Sequence, residues 1–221
     1  MKKLNCEKRI IEVSCNKSSC SHYSICCKVA TEVIYTKEDK DIDLLIVGQG
    51  AGKDEEIIHR PFVGISGTYL RSMLVHIWET TKFNLALSNT VRCRPFIESE
   101  TIDKKKVKKD REPTKEEIET CIPHLWKDIV ELKPKAILTV GKSSLSSLVK
   151  VNTSSTMTSL RGERFSSRGY DVIATWHPAY LTRLYHRFNA NKLQKEDLET
   201  IQDISTSLNL SPVSYQCTLE L

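Results

Sequence analysis

The chain has 221 residues, 39% hydrophobic and 28% charged, with a net charge of +5. These values exclude wholesale disorder and suit one domain with a proper core rather than two. No run is long and apolar enough to span a bilayer, and Met1-Lys2-Lys3-Leu4-Asn5-Cys6 lacks the apolar core of a signal peptide, so a cytoplasmic, intracellular protein is expected. The modest positive charge permits a polyanionic partner without requiring one.

Residues 4–14, with Leu4, Ile10, Ile11 and Val13 among charges, read as a short helix. A cysteine-rich segment overlaps and follows it. Five of the eight cysteines (Cys6, Cys15, Cys20, Cys26, Cys27) precede residue 28, Cys93 and Cys121 lie mid-chain, and Cys217 is near the end. In a reducing compartment, and in a chain whose core needs no staples, such clustering favours a metal or cluster site over disulfides.

Asp43-Leu44-Leu45-Ile46-Val47 predicts a buried strand running into Gly48-Gln49-Gly50-Ala51-Gly52, with Lys53-Asp54-Glu55 and Arg60-Pro61-Phe62-Val63-Gly64 behind it. From Gly67 to about Thr80 the spacing of Leu70, Met73, Leu74, Ile77 and Trp78 is helical. Asn84 to Asn89 is a second strand, followed by Thr90-Val91-Arg92-Cys93-Arg94-Pro95. Residues 98–112 are almost wholly charged, with Lys104, Lys105, Lys106, Lys108 and Lys109 together, and read as a surface loop; phosphate contact is the alternative use of those lysines. Pro113-Thr114-Lys115-Glu116-Glu117 opens a helix with Thr114 as N-cap and Glu117 at the capping-box position, and the helix stops before Pro134. Ala136 to Val140 is a third strand, followed by Gly141 and a serine-capped helix. Residues 151–159 are Ser/Thr-rich loop. Asp171 to Thr175 is a fourth strand, leading into Trp176-His177-Pro178-Ala179-Tyr180-Leu181.

Strands alternating with helices imply an α/β fold, a three-layer α/β/α sandwich around a central, mainly parallel four-stranded sheet. The expected organisation is one domain over residues 1–221. Residues 1–30 form its cysteine-rich N-terminal segment, and about 192–221 a C-terminal extension. Open α/β sheets place their ligand crevice at the carboxyl ends of the strands, where the Gly48–Gly52 turn, Phe62, a carboxylate and His177 can converge. Gly141-Lys142-Ser143-Ser144 is not a phosphate loop, because the required upstream glycine falls at Ala136 inside a strand. His22, His76 and His186 read as incidental.

Taken together, these segments resemble the uracil-DNA glycosylase superfamily, and within it the iron–sulfur-containing family 4. The resemblance rests on five stretches in order: the Gly48–Gly52 turn with Pro61-Phe62-Val63-Gly64; Asn89 with Arg92-Cys93-Arg94-Pro95; the helix from Pro113 through Cys121; Leu160-Arg161-Gly162; and His177 to Leu181. It implies hydrolysis of the N-glycosidic bond of deoxyuridine in DNA by a monomer. Uracil flips into a pocket whose backbone is supplied by Gly48 and Gly50. Phe62 stacks on the ring, Asn89 bonds its Watson–Crick edge, and His177 bonds O2 as negative charge builds. Arg183 is placed to contact DNA. Cys93 and Cys121 match two ligands of a structural [4Fe–4S] cluster, with Cys15 and Cys20 the first choice for the other two and Cys26 or Cys27 the alternates.

Two departures stand out. Gln49 occupies the position of the family's usual glutamate and cannot act as a base, so the expectation is either that Asp54 or Glu55 supplies the carboxylate or that the activity is slow. The charged stretch between Cys93 and Cys121 is longer than usual, but residues 96–112 contain no histidine, so the self-cross-linking of a related branch is not expected. A weak uracil-DNA-binding relative and a glycosylase for another modified base are the alternative functions.

Overall fold

The computed structural model describes residues 7–11, 29–100, 103–187 and 190–209. Its strands are β1 Glu7–Ile11, β2 Thr31–Tyr35, β3 Leu44–Gly50, β4 Leu85–Val91, β5 Phe96–Glu100, β6 Lys106–Asp110, β7 Ala136–Val140, β8 Arg164–Ser167 and β9 Tyr170–Thr175. Its helices are α1 Lys53–Ile58, α2 Ile65–Thr80, α3 Lys115–Leu132, α4 Lys142–Leu148, α5 Met157–Leu160, α6 Pro178–Arg187 and α7 Ala190–Ser207.

Leu44, Leu45, Ile46 and Val47 have no solvent exposure, so β3 is covered on both faces. Alternation sends Leu44 and Ile46 into a core with Leu70, Leu74 and Ile77 of α2 and Ile201 and Ile204 of α7. Leu45 and Val47 enter a second core with Leu125 and Ile129 of α3 and Leu145 of α4. Two cores on opposite faces of one sheet make the three layers, and each such side chain contributes about 1.5–3 kcal/mol by burial.

The main sheet has the order β1-β2-β4-β3-β7-β9-β8. The four strands expected from sequence are its parallel centre, β4-β3-β7-β9. The sheet is larger than the four strands expected, because β1, β2 and β8 extend it in antiparallel fashion. Residues 7–11, expected as helix, form edge strand β1 in register with Thr31–Tyr35. The β-branched Thr31, Val33 and Ile34 create that partner, and pairing overrides a short helical pattern. Residues 98–112, expected as loop, include most of a β5–β6 hairpin. Glu98 lies opposite Lys108 and Glu100 opposite Lys106, so charges that suggested a solvated loop are cross-strand partners.

The Thr114 cap is as expected. Its Oγ1 accepts the Glu117 N–H at 3.2 Å, while the Glu117 carboxylate accepts the Thr114 N–H at 2.7 Å. The stretch read as a C-terminal extension contains most of α7, which joins the core through Ile201 and Ile204. Among the described residues no helix is long and apolar enough to cross a membrane.

Candidate active site

The carboxyl ends of β3, β4, β7 and β9 carry Gly48–Gly50, Asn89, Gly141 and, just beyond β9, His177. Gly48 is paired with Asn89 across the parallel β3–β4 register. A side chain at Gly48 would collide with Asn89 Oδ1 and would lie 2.9 Å from the tip of the Phe62 ring. Glycine therefore leaves a floor with Asn89 and Phe62 against it. The cavity there has a volume of about 300 Å³, and its lining includes Gly48, Gln49, Gly50, Phe62, Asn89 and His177. That is the small end of ligand pockets.

Phe62 sits in the left-handed region, with φ 54°, at a cost of about 1–2 kcal/mol for a non-glycine residue. The surroundings enforce it from two sides. Arg71 of α2 donates from Nε to the Phe62 carbonyl and from Nη2 to the Pro61 carbonyl, both at 2.8 Å. Glu32 of β2 is fully buried and ion-pairs with both Arg71 and Arg60. On the other side Glu55 Oε1 accepts the N–H groups of Val63 (3.0 Å) and Gly64 (2.9 Å), and Oε2 accepts that of Gly52 (3.1 Å). The backbone of Phe62 also lies so close to Gly67 that a methyl there would overlap it.

His177 is held as carefully. Gly141, at φ 90°, lets the imidazole pack onto the end of β7, where a Cβ would approach its Cδ2 to 3.2 Å. Burial, with the Arg183 guanidinium nearby, depresses its pKa from 6.5 to about 4. The ring is uncharged at neutral pH. Nδ1 accepts the Ala179 N–H at 3.1 Å, so the single proton belongs on Nε2, a donor.

Gln49 lines this cavity and also an adjoining hollow of about 630 Å³, and its Nε2 is buried with no hydrogen-bond partner. Arg183 is exposed at the rim of both. Of the two carboxylates expected to replace the missing acid, Asp54 does not line the cavity, and Glu55 lines it but is committed to three backbone N–H groups. Asp110 and Arg111 also line both hollows. Sequence reasoning missed them because they end a charge run with no periodic signal.

The cysteines divide. Cys93, just past β4, and Cys121, in α3, are buried in one small cluster with Val91. Cys15, Cys20, Cys26 and Cys27 lie outside the described residues. The Val29 N–H bonds the Arg92 carbonyl at 3.3 Å, which anchors the end of that segment beside Cys93. Among the described residues no three metal-ligating side chains gather. Two buried thiols fit half of a four-cysteine set.

Residues 36–202 match the family model of the uracil DNA glycosylase superfamily. A type-4 uracil-DNA glycosylase of Thermotoga maritima is 31% identical over 173 residues, covering 78% of this chain and 81% of its own. One from Sulfurisphaera tokodaii is 29% identical over 180 residues, covering 78% and 74%, and one from Saccharolobus solfataricus is 27% identical over 171 residues, covering 75% and 72%. With the model match spanning most of the sheet and all four strand ends of the site, the chain belongs to the uracil DNA glycosylase superfamily.

Proposed function

We propose that this chain is a DNA-repair glycosylase that hydrolyses the N-glycosidic bond of deoxyuridine, releasing uracil and leaving an abasic site. The observation that carries the reading is the neutral, Nε2-protonated His177 facing the same cavity as Asn89 and Phe62. Chemistry at a base requires that base to leave the stack. Phe62, fixed by Arg71 and Glu55, is the stacking wall, and Asn89 reads the polar edge of uracil. A buried amide left mispaired by cytosine makes rejection strong. His177 donates from Nε2 to O2 as charge accumulates on the leaving base, and backbone N–H groups of the Gly48–Ala51 turn assist. Arg183, at the rim, contacts DNA.

In the same reading, Cys93 and Cys121 hold two corners of a [4Fe–4S] cluster with two of Cys15, Cys20, Cys26 and Cys27. The family resemblance makes Cys15 and Cys20 the first choice. The Val29–Arg92 bond instead favours Cys27 and Cys26, which lie two and three residues along the chain from Val29. When bound, the cluster ties the N-terminal segment to the middle of the chain. Residues 1–221 act as one glycosylase domain.

The test is incubation of anaerobically purified, iron-loaded protein with a uracil-containing oligonucleotide, followed by alkaline cleavage. Strand scission at the uracil position is expected. The uncharged Gln49 favours the rival reading of a uracil-DNA binder that does not excise, and intact strands with retained binding would select it.

A further inference from the structure

We propose that Asp110 supplies the carboxylate that the first glycine turn lacks, making it a catalytic residue; the proposal rests on the glycosylase reading above. Gln49 occupies the position of the missing acid and cannot accept a proton from water. Five acids lie near that turn along the chain or in space: Asp54, Glu55, Glu56, Asp110 and Glu112, the last lining the larger hollow but not the cavity that holds Phe62 and Asn89. Glu55 is saturated by the N–H groups of Gly52, Val63 and Gly64. Asp54 and Glu56 line neither hollow, and Glu56 pairs with Arg94 at 3.4 Å. Asp110 lines both, in company with Gln49 and His177 each time.

Its position is built. The nearly buried Arg94 donates from Nε to Asp110 Oδ1 at 2.5 Å and from Nη2 to the Lys108 carbonyl at 3.3 Å. The Arg111 N–H closes the hairpin base on the Pro95 carbonyl at 3.1 Å. The carboxylate nonetheless stays 56% exposed, open to the water that must attack. The hairpin therefore brings an acid to the wall of a cavity whose own turn has none.

In the step so described, the oxygen of water bonds to C1′ of the deoxyribose as the C1′–N1 bond breaks. The electron pair leaves on uracil, where His177 Nε2–H bonds O2, and the proton of the attacking water passes to Asp110 and then to solvent. No oxidant or second substrate is needed.

Asp110→Asn tests this, because the amide oxygen still accepts from Arg94 while the base is lost. At saturating enzyme, the single-turnover excision rate is expected to fall about 100-fold, while inhibition by free uracil and the melting temperature stay put. Adding Gln49→Glu to Asp110→Asn is expected to restore at least about tenfold, a carboxylate returning from the turn itself. A rate for Asp110→Asn within about twofold of wild type overturns the proposal. The glycosylase reading survives that outcome; a wild-type protein that leaves uracil in place, even where Gln49→Glu removes it, overturns both.

Discussion

The two walls of the base cavity are made in opposite ways. Phe62, Asn89 and His177 stand on the ends of core strands or between them, and their geometry is set by buried contacts: the fully buried Glu32, the Arg71 clamp, the Gly141 seat. Asp110 stands on a hairpin whose residues from Ile97 to Asp110 are exposed wherever described, held by Arg94 at its base. The difference separates two tasks. Recognising the base needs positions good to a fraction of an ångström, which only packed elements give. Supplying a charge to attacking water tolerates a looser mount.

That contrast can be broken at several points. His177→Ala removes the donor that faces the leaving base, and excision is expected to fall by about 10²–10³-fold with the fold intact. A near-normal single-turnover rate would remove His177 from the site. Gly48→Ala puts a methyl where Asn89 and the Phe62 ring converge, so binding of free uracil should weaken by about 100-fold while affinity for abasic DNA changes little. Equal loss of both would mean that the floor is not where the base lies.

Arg71→Lys keeps the charge but replaces the planar fork, whose Nε and Nη2 reach Glu32 and the two carbonyls from separate nitrogens, with a single point of donors. The inhibition constant for uracil should rise about tenfold, about 1.4 kcal/mol, and that rise should vanish in a Phe62→Ala background. Additive effects would show that Arg71 does not act through the ring.

The smallest effect lies in stability against pH. His177, at about 4 against 6.5 when unfolded, adds stability that is complete above pH 6.5 and lost as pH falls toward 4. Asp203 runs the other way. Burial, opposed by the Thr175 hydroxyl and Arg161, raises it from 3.8 to about 6, so its contribution is complete below 3.8 and lost as pH rises through 6. Between pH 4 and 6 the slopes oppose, and Asp203→Asn should expose a steeper rise in melting temperature with pH. An unchanged slope would contradict the Asp203 shift.

Much of this was legible from sequence. Each central strand is a short apolar run buried on both faces, so it reads without a partner, and the residues that follow it fall into the site by topology alone. Thr114 and Glu117 announce their helix because a cap is a local interaction. What stayed hidden depends on distant partners. The clamp joins Arg71 to Glu32 across 39 positions, and β1 is a strand only because Thr31–Tyr35 receives it. The β5–β6 hairpin carries charge on both faces, as at Lys108 and Lys109, so no hydrophobic alternation marks its strands. Glu55 was found as an acid of the turn, but its three N–H partners, which make it a brace, appear only when the loops meet.

The hydrogen bond from Ala179 to His177 Nδ1 has a kinetic corollary. An imidazole that already accepts on one nitrogen and is too desolvated to take a second proton cannot act as an acid that hands its proton over and reclaims it. It works as a fixed dipole, and uracil departs with its negative charge solvated by the protein rather than neutralised. No hydrogen is then in flight between enzyme and leaving base, and any solvent isotope effect on excision belongs to the attacking water alone.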